Sequence, residues 1–111
     1  MWSKWLSVKH SVMVNSGASG NFLSIALVKE LYGIGEVIVP PLGWVSDISS
    51  VVQLGMTPVF VDISMENLSI TAENIEKAIT PQTKAIVLVH CLGFNAINEK
   101  ILEISKKHNL V

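Results

Sequence analysis

The chain has 111 residues, half of them apolar and 15% charged, with a formal net charge of −1 and a single cysteine. A soluble chain of this size buries roughly two thirds of the surface its unfolded form exposes, so it has room for one core and not for two independent domains. The near-balance of Lys against Asp and Glu, with no run of like sign, gives no electrostatic footprint for nucleic acid or an anionic membrane surface.

The first segment, residues 1–13, reads as a lead-in. Ser3, Lys4, Ser7, Lys9 and His10 break it, so it carries neither the apolar centre of a secretory signal nor a basic amphipathic transit pattern. Lone Cys91 excludes an internal disulfide framework and suits a reducing compartment, so the chain reads as cytoplasmic. No apolar run reaches the roughly 20 residues of a bilayer span.

A short strand is expected at Ser11–Val14, leading into Val14-Asn-Ser-Gly-Ala-Ser-Gly-Asn21. A helix follows from about Ser19 to Tyr32, stopped by Gly33 and Gly35. Unpaired backbone N–H groups at a helix start, approached through small residues, suit a phosphate. The segment is not a Walker loop, a dinucleotide fingerprint or a nucleophile elbow, because the lysine or the glycine spacing is missing. A plain strand-to-helix turn capped by Ser19 fits the same composition.

Continuous runs of branched apolar residues indicate strands covered on both faces, and Val37–Val39, Pro58–Val61 and Ala85–Val89 are such runs. After the first comes Pro40-Pro-Leu-Gly-Trp44-Val-Ser46, where open α/β sheets place ligands; Trp44 either lies over a planar ligand, with Gly43 allowing close approach, or packs in the core. The next helix is expected from about Ser46 to Leu54, with Ile48, Val51, Val52 and Leu54 toward the sheet and Gly55 at its end. Asp62 ends the next strand and faces a ligand or caps a turn. A third helix begins at the N-cap Thr71, has Glu73 in its first turn and stops before Pro81.

His90 and Cys91 end the following strand. Adjacent strand residues face opposite sides, so the pair cannot chelate one metal without distortion, and no metal site is expected. A last helix, Ile97 to about His108, points Ile101, Leu102 and Ile104 inward and ends on Lys106, Lys107 and His108, the favoured end for cations. Asn109–Val111 read as a turn and the opening of another strand. His10 and His108 have no ligand spacing relative to each other. The alternation implies right-handed βαβ crossovers: an α/β fold with a mainly parallel sheet and flanking helices.

Taken together, the segments resemble the DegT/DnrJ/EryC1/StrS family of sugar aminotransferases, pyridoxal-phosphate enzymes with the aspartate aminotransferase fold. The resemblance rests on Asn15-Ser-Gly-Ala-Ser19, Gly35-Glu-Val-Ile-Val-Pro40 with Trp44, Gly55-Met-Thr-Pro-Val-Phe-Val-Asp62, and Ile79-Thr-Pro-Gln-Thr-Lys-Ala-Ile86 through His90 and Gly93, in that order. The run Ser16–Asn21 and the pair Leu92-Gly93 look like the branch that includes nucleotide-sugar 3-dehydratases.

The resemblance implies that residues 14–111 are the front part of a large domain binding pyridoxal 5'-phosphate. Ala18 and Ser19 would hold the cofactor phosphate by backbone N–H, with the Ser19 hydroxyl adding a bond and Gly17 counted beside them in the cofactor site, and Trp44 would stack on the pyridine ring. Ala18 stands where the family usually has a hydroxyl residue, which removes one hydrogen bond. The carboxylate for the pyridine nitrogen and the Schiff-base lysine, or the histidine that replaces it, have no matching position, so no residue here is assigned a catalytic role. None of the chain's lysines matches the catalytic one, and the chain alone is expected to be catalytically silent. The complete enzyme would act on a nucleotide-linked keto sugar with an amino donor, as a homodimer. Two other readings are a remnant that docks on a full-length relative, suggested by the mean hydropathy of +0.49, and a small phosphate-binding module.

Overall fold

The structure, a computed structural model, describes residues 2–111. Three strands, β1 (Glu36–Val39), β2 (Thr57–Phe60) and β3 (Thr83–Ile86), form one parallel sheet in the order β2-β1-β3. In register, Glu36 pairs with Thr57 and Ile38 with Val59 on one side, and Ile38 with Ile86 on the other. The ladders run past the regular strands, since Val61 N donates to Val39 O at 3.1 Å and Val87 N to Ile38 O at 2.8 Å.

The helices are α1 (Trp2–Trp5), α2 (Gly17–Tyr32), α3 (Val45–Gln53), α4 (Ala72–Ala78) and α5 (Glu99–Lys107). Central β1 explains the unbroken apolar run at Val37–Val39, because side chains alternate across the sheet and both faces are covered. Val37 and Val39 pack with Ile25 and Val28 of α2 and Val51 of α3. Ile38 enters a second core with Ile70, Ile75 of α4, and Ile101 and Ile104 of α5. Val37, Ile38 and Val39 are fully buried.

Caps define the helix ends. Thr71 Oγ1 accepts from Asn74 N at 3.2 Å and Asn98 Oδ1 from Ile101 N at 3.0 Å, each meeting a donor that the first turn leaves unpaired. Gly33 (φ 79°) donates its N–H to Lys29 O and closes α2, and Gly55 (φ 72°) follows α3, left-handed geometries that glycine adopts without a Cβ clash. Val111 lies beside β3, with Ile86 N donating to Val111 O at 2.9 Å and Val111 N to Lys84 O at 3.2 Å, so the last residues do open a strand pairing.

Several expectations need correction. Ser11–Val14 form no strand; Val12 and Met13 are exposed and have no sheet partner. Val52 and Leu102, expected to face inward, point to solvent, as do Leu23, Leu27 and Leu31 of α2. The lead-in contains the unexpected turn of helix α1, where the Trp2 and Trp5 rings stack with centroids 4.9 Å apart and no residue is buried.

Candidate functional site

The C-terminal edge of the sheet gathers the first turn of α2, the loop Pro40–Trp44 and the segment after β3. In α2 the N-cap is Ser16 and not Ser19: Ser16 is extended (φ −158°, ψ 162°) and its Oγ accepts from Ser19 N at 3.1 Å. Ser19 Oγ in turn donates to Asn15 Oδ1 at 2.6 Å. Gly20 N donates to Ser16 O at 3.1 Å, the first intrahelical bond. The N–H groups of Gly17 and Ala18 therefore have no partner among the described residues and project from the positive end of a 16-residue helix. Space beyond the Gly17 Cα is open, with nothing within 4 Å of where a Cβ would stand.

Trp44 precedes α3 and is 74% exposed, so it is not packed in the core of this chain. Its backbone is held firmly. Trp44 N donates to Asp47 Oδ2 at 2.9 Å, and Asp47 N donates to Trp44 O at 2.9 Å. Asp47 sits in the first turn of α3, where the helix dipole favours its charge. The α2 side reaches this turn through Asn21, whose Nδ2 donates to Ser46 Oγ at 3.1 Å and to Asp47 Oδ1 at 2.6 Å. A cleft of about 550 Å³ continues between the two helices, lined by Ala18, Ser19 and Phe22 on one side and Ser46 and Ser49 on the other.

Gly17, Ala18, Ser19 and Trp44 are thus brought to one edge. The open backbone donors and the exposed indole fit a phosphorylated aromatic cofactor: two N–H groups free to meet an anion, and a ring face free to meet a ring. In the sequence Asn15, Ser16 and Asn21 were read only as members of a motif with no role of their own, and Asp47 was not singled out. The signal for Ser16 was its three-residue spacing to Ser19, which is the reach of an N-cap.

The other candidates lie apart. Asp62 falls beyond the end of β2, is exposed, and uses its main-chain carbonyl to accept from Asn74 Nδ2 at 3.3 Å, while its carboxylate makes no hydrogen bond among the described residues. His90 and Cys91 also lie past the end of their strand. His90 Nδ1 accepts from Ala96 N at 3.2 Å, and Cys91 opens a 3-10 turn in which Leu92 (φ 52°) and Gly93 (φ 89°) are left-handed. His10 is exposed in the lead-in, and His108 is the C-cap of α5, its N–H bonded to Ile104 O at 3.0 Å. Among the described residues no three His, Cys, Asp or Glu side chains gather as a metal site, and no helix is long and apolar enough to cross a membrane.

Comparison with known proteins gives a consistent picture. Residues 2–111 match the DegT/DnrJ/EryC1/StrS aminotransferase family. GDP-perosamine synthase of Caulobacter vibrioides is 39% identical over 111 residues, covering 99% of this chain and 29% of that protein. The structure of an aminotransferase from Psychrobacter cryohalolentis superposes with a TM-score of 0.89 at 34% identity, over 98% of this chain and 27% of that one. The E. coli GDP-4-keto-6-deoxy-D-mannose-3-dehydratase, solved with bound hydrated PLP, gives 0.87 at 33% identity, over 99% of this chain and 30% of its own. The chain thus spans less than a third of the length of these relatives.

Proposed function

The chain belongs to the DegT/DnrJ/EryC1/StrS aminotransferase family, and from that premise we propose that it forms the phosphate-holding and ring-covering part of a pyridoxal-phosphate sugar aminotransferase. In this reading residues 14–111 are part of the large domain and residues 1–13 lead into it. The carrying observation is the pair of unpaired N–H groups at Gly17 and Ala18, joined through Asn21 and Asp47 to the exposed Trp44. The N–H groups of Gly17 and Ala18 bind the phosphate. Ser19 adds its own N–H or hydroxyl when the bonds to Ser16 and Asn15 are exchanged. Trp44 lies along one face of the pyridine ring.

When bound, the cofactor supplies an electron sink for carbanion chemistry at an amino-bearing carbon. The chain's own contribution is binding and orientation. The methyl of Ala18 offers no hydroxyl to the phosphate, which removes a contribution of about 1 kcal/mol or more to a charged group. The family resemblance matches none of the chain's lysines to the catalytic one, and no transamination is expected from this chain by itself. The complete protein would act in the cytoplasm as a homodimer, on a nucleotide-linked keto sugar with an amino-acid donor. Likeness to GDP-perosamine synthase supports an activated sugar as substrate.

A second reading, a nucleotide-sugar 3-dehydratase, is favoured by the Ser16–Asn21 run, by Leu92-Gly93 and by the likeness to the E. coli dehydratase. Docking on a full-length relative is favoured by the apolar α2 face at Leu23, Leu27 and Leu31, which is exposed.

The test is a titration with pyridoxamine phosphate, which forms no imine with surface lysines, of a chain in which Trp2→Phe and Trp5→Phe leave Trp44 as the sole tryptophan. Saturable quenching of Trp44, competed by inorganic phosphate and weakened by adding a side chain at Gly17, is expected. Absence of saturable quenching overturns the cofactor reading.

A further inference from the structure

Two binding elements on separate stretches of chain can share one ligand only if their relative placement is fixed before it arrives. No hydrogen bond joins the first turn of α2 to Trp44 directly among the described residues; the connection runs through Asn21 and Asp47. The carboxamide spends both Nδ2 hydrogens, one on Ser46 Oγ and one on Asp47 Oδ1. The carboxylate spends one oxygen on Asn21 and the other on Trp44 N. Ser46 is buried, and Gly43 passes so near that only a hydrogen fits between its Cα and the Asp47 carboxylate. The 2.6 Å Asn21–Asp47 bond is short and charge-assisted, the kind that fixes orientation as well as adding energy.

We infer that Asn21 and Asp47 are positioning residues that clasp the Trp44 backbone to the first turn of α2, so that the ring-covering and phosphate-holding elements form one preorganised unit. The clasp acts through Trp44, and neither side chain needs to touch the ligand. Its purpose rests on the cofactor reading above, whereas its geometry does not, and the experiment separates the two.

In the Trp2→Phe, Trp5→Phe chain, time-resolved anisotropy of Trp44 is measured without ligand for Asn21→Ala and Asp47→Asn. Asparagine at 47 keeps one acceptor oxygen and cannot serve both Asn21 and Trp44 N, which provides a conservative second variant if the alanine variant unfolds. Far-UV circular dichroism checks that each variant folds. A clasp predicts wider angular motion of the indole in both variants, although Asn21 makes no hydrogen bond to Trp44. It also predicts a combined effect no larger than the greater single effect, because the two residues act on one link.

Affinity for pyridoxamine phosphate should fall about tenfold, the order expected for one charge-assisted bond, while affinity for inorganic phosphate should hold within about twofold because it needs only the α2 turn. Unchanged anisotropy in folded Asn21→Ala and Asp47→Asn overturns the clasp, even if the parent binds pyridoxamine phosphate. Failure of the parent to bind that probe overturns the cofactor reading, and the anisotropy result still decides the clasp.

Discussion

Gly43 and Asp47 approach so closely that a Cβ on Gly43 would lie 2.8 Å from Asp47 Oδ2. The same Cβ would stand 3.3 Å from Val89 Cγ2 on the stretch following β3. The glycine therefore lets the loop before α3 sit between a carboxylate and the strand extension.

Gly43→Ala should push the carboxylate off Trp44 N or the loop off Val89. A loss of about 1–3 kcal/mol is expected from overpacking of this kind. Denaturant unfolding measures it, and a midpoint equal to the parent's would refute the close contact.

Ser16→Ala removes the cap of α2 and should cost about 1 kcal/mol. It also releases Ser19 N, giving an anion a third backbone donor beside Gly17 and Ala18. The thermal deficit should therefore shrink when inorganic phosphate is added, by more than the same phosphate stabilises the parent. A deficit independent of phosphate would count against anion binding at this turn.

Ile38→Ala empties the centre of the core between the sheet and α4 and α5, where Ile38 is fully buried. Burial of this kind predicts a loss of about 2–5 kcal/mol. Phe60→Ala, in an edge strand and 55% exposed, is the control and should cost far less. Equal losses would contradict the placement of β1 at the centre of the sheet.

Two ion pairs make stability depend on acid. Lys77 bonds Glu73 within α4 at 2.6 Å, and Lys107 of α5 bonds Glu76 of α4 at 2.6 Å. In each, the hydrogen bond to the lysine and then its charge hold the glutamate below its ordinary value of 4.5. The folded carboxylate thus gives up its proton more readily than the unfolded one. Its contribution is present above the ordinary value and is lost as pH falls through the depressed folded value. All four side chains are well exposed, so the effect is small and screened by salt. Replacing Lys77 and Lys107 by Met should flatten the acid limb of a thermal-midpoint profile at low salt. An unchanged limb would mean that neither pair persists in solution.

What the sequence disclosed follows from how local each cause is. Val37–Val39 were readable because a strand covered on both faces must be apolar at every position. Thr71 and Gly33 were readable because caps act within a turn. Ser11–Val14 have the same composition as a buried strand but no neighbour to bond, and pairing is a property of the whole sheet. Val52 and Leu102 are apolar residues of amphipathic helices whose outer faces lie toward solvent, so residue type alone misplaced them. Gly17, Ala18 and Ser19 stood out as phosphate candidates because a helix start in small residues is a local pattern, whereas Asn21–Asp47 joins residues 26 apart and needs the helices already packed.

The strand order has a kinetic meaning. Glu36 pairs with both Thr57 and Thr83, and the second contact closes a loop more than twice as long as the first. Each doubling of loop length adds about 0.6 kcal/mol of closure entropy, and distant contacts slow folding further. The β1–α3–β2 crossover is thus the natural nucleus. It leaves the β3 side of β1 unzipped until α4 is in place, and during that interval the most apolar strand of the chain is open to a neighbouring molecule in the same half-built state.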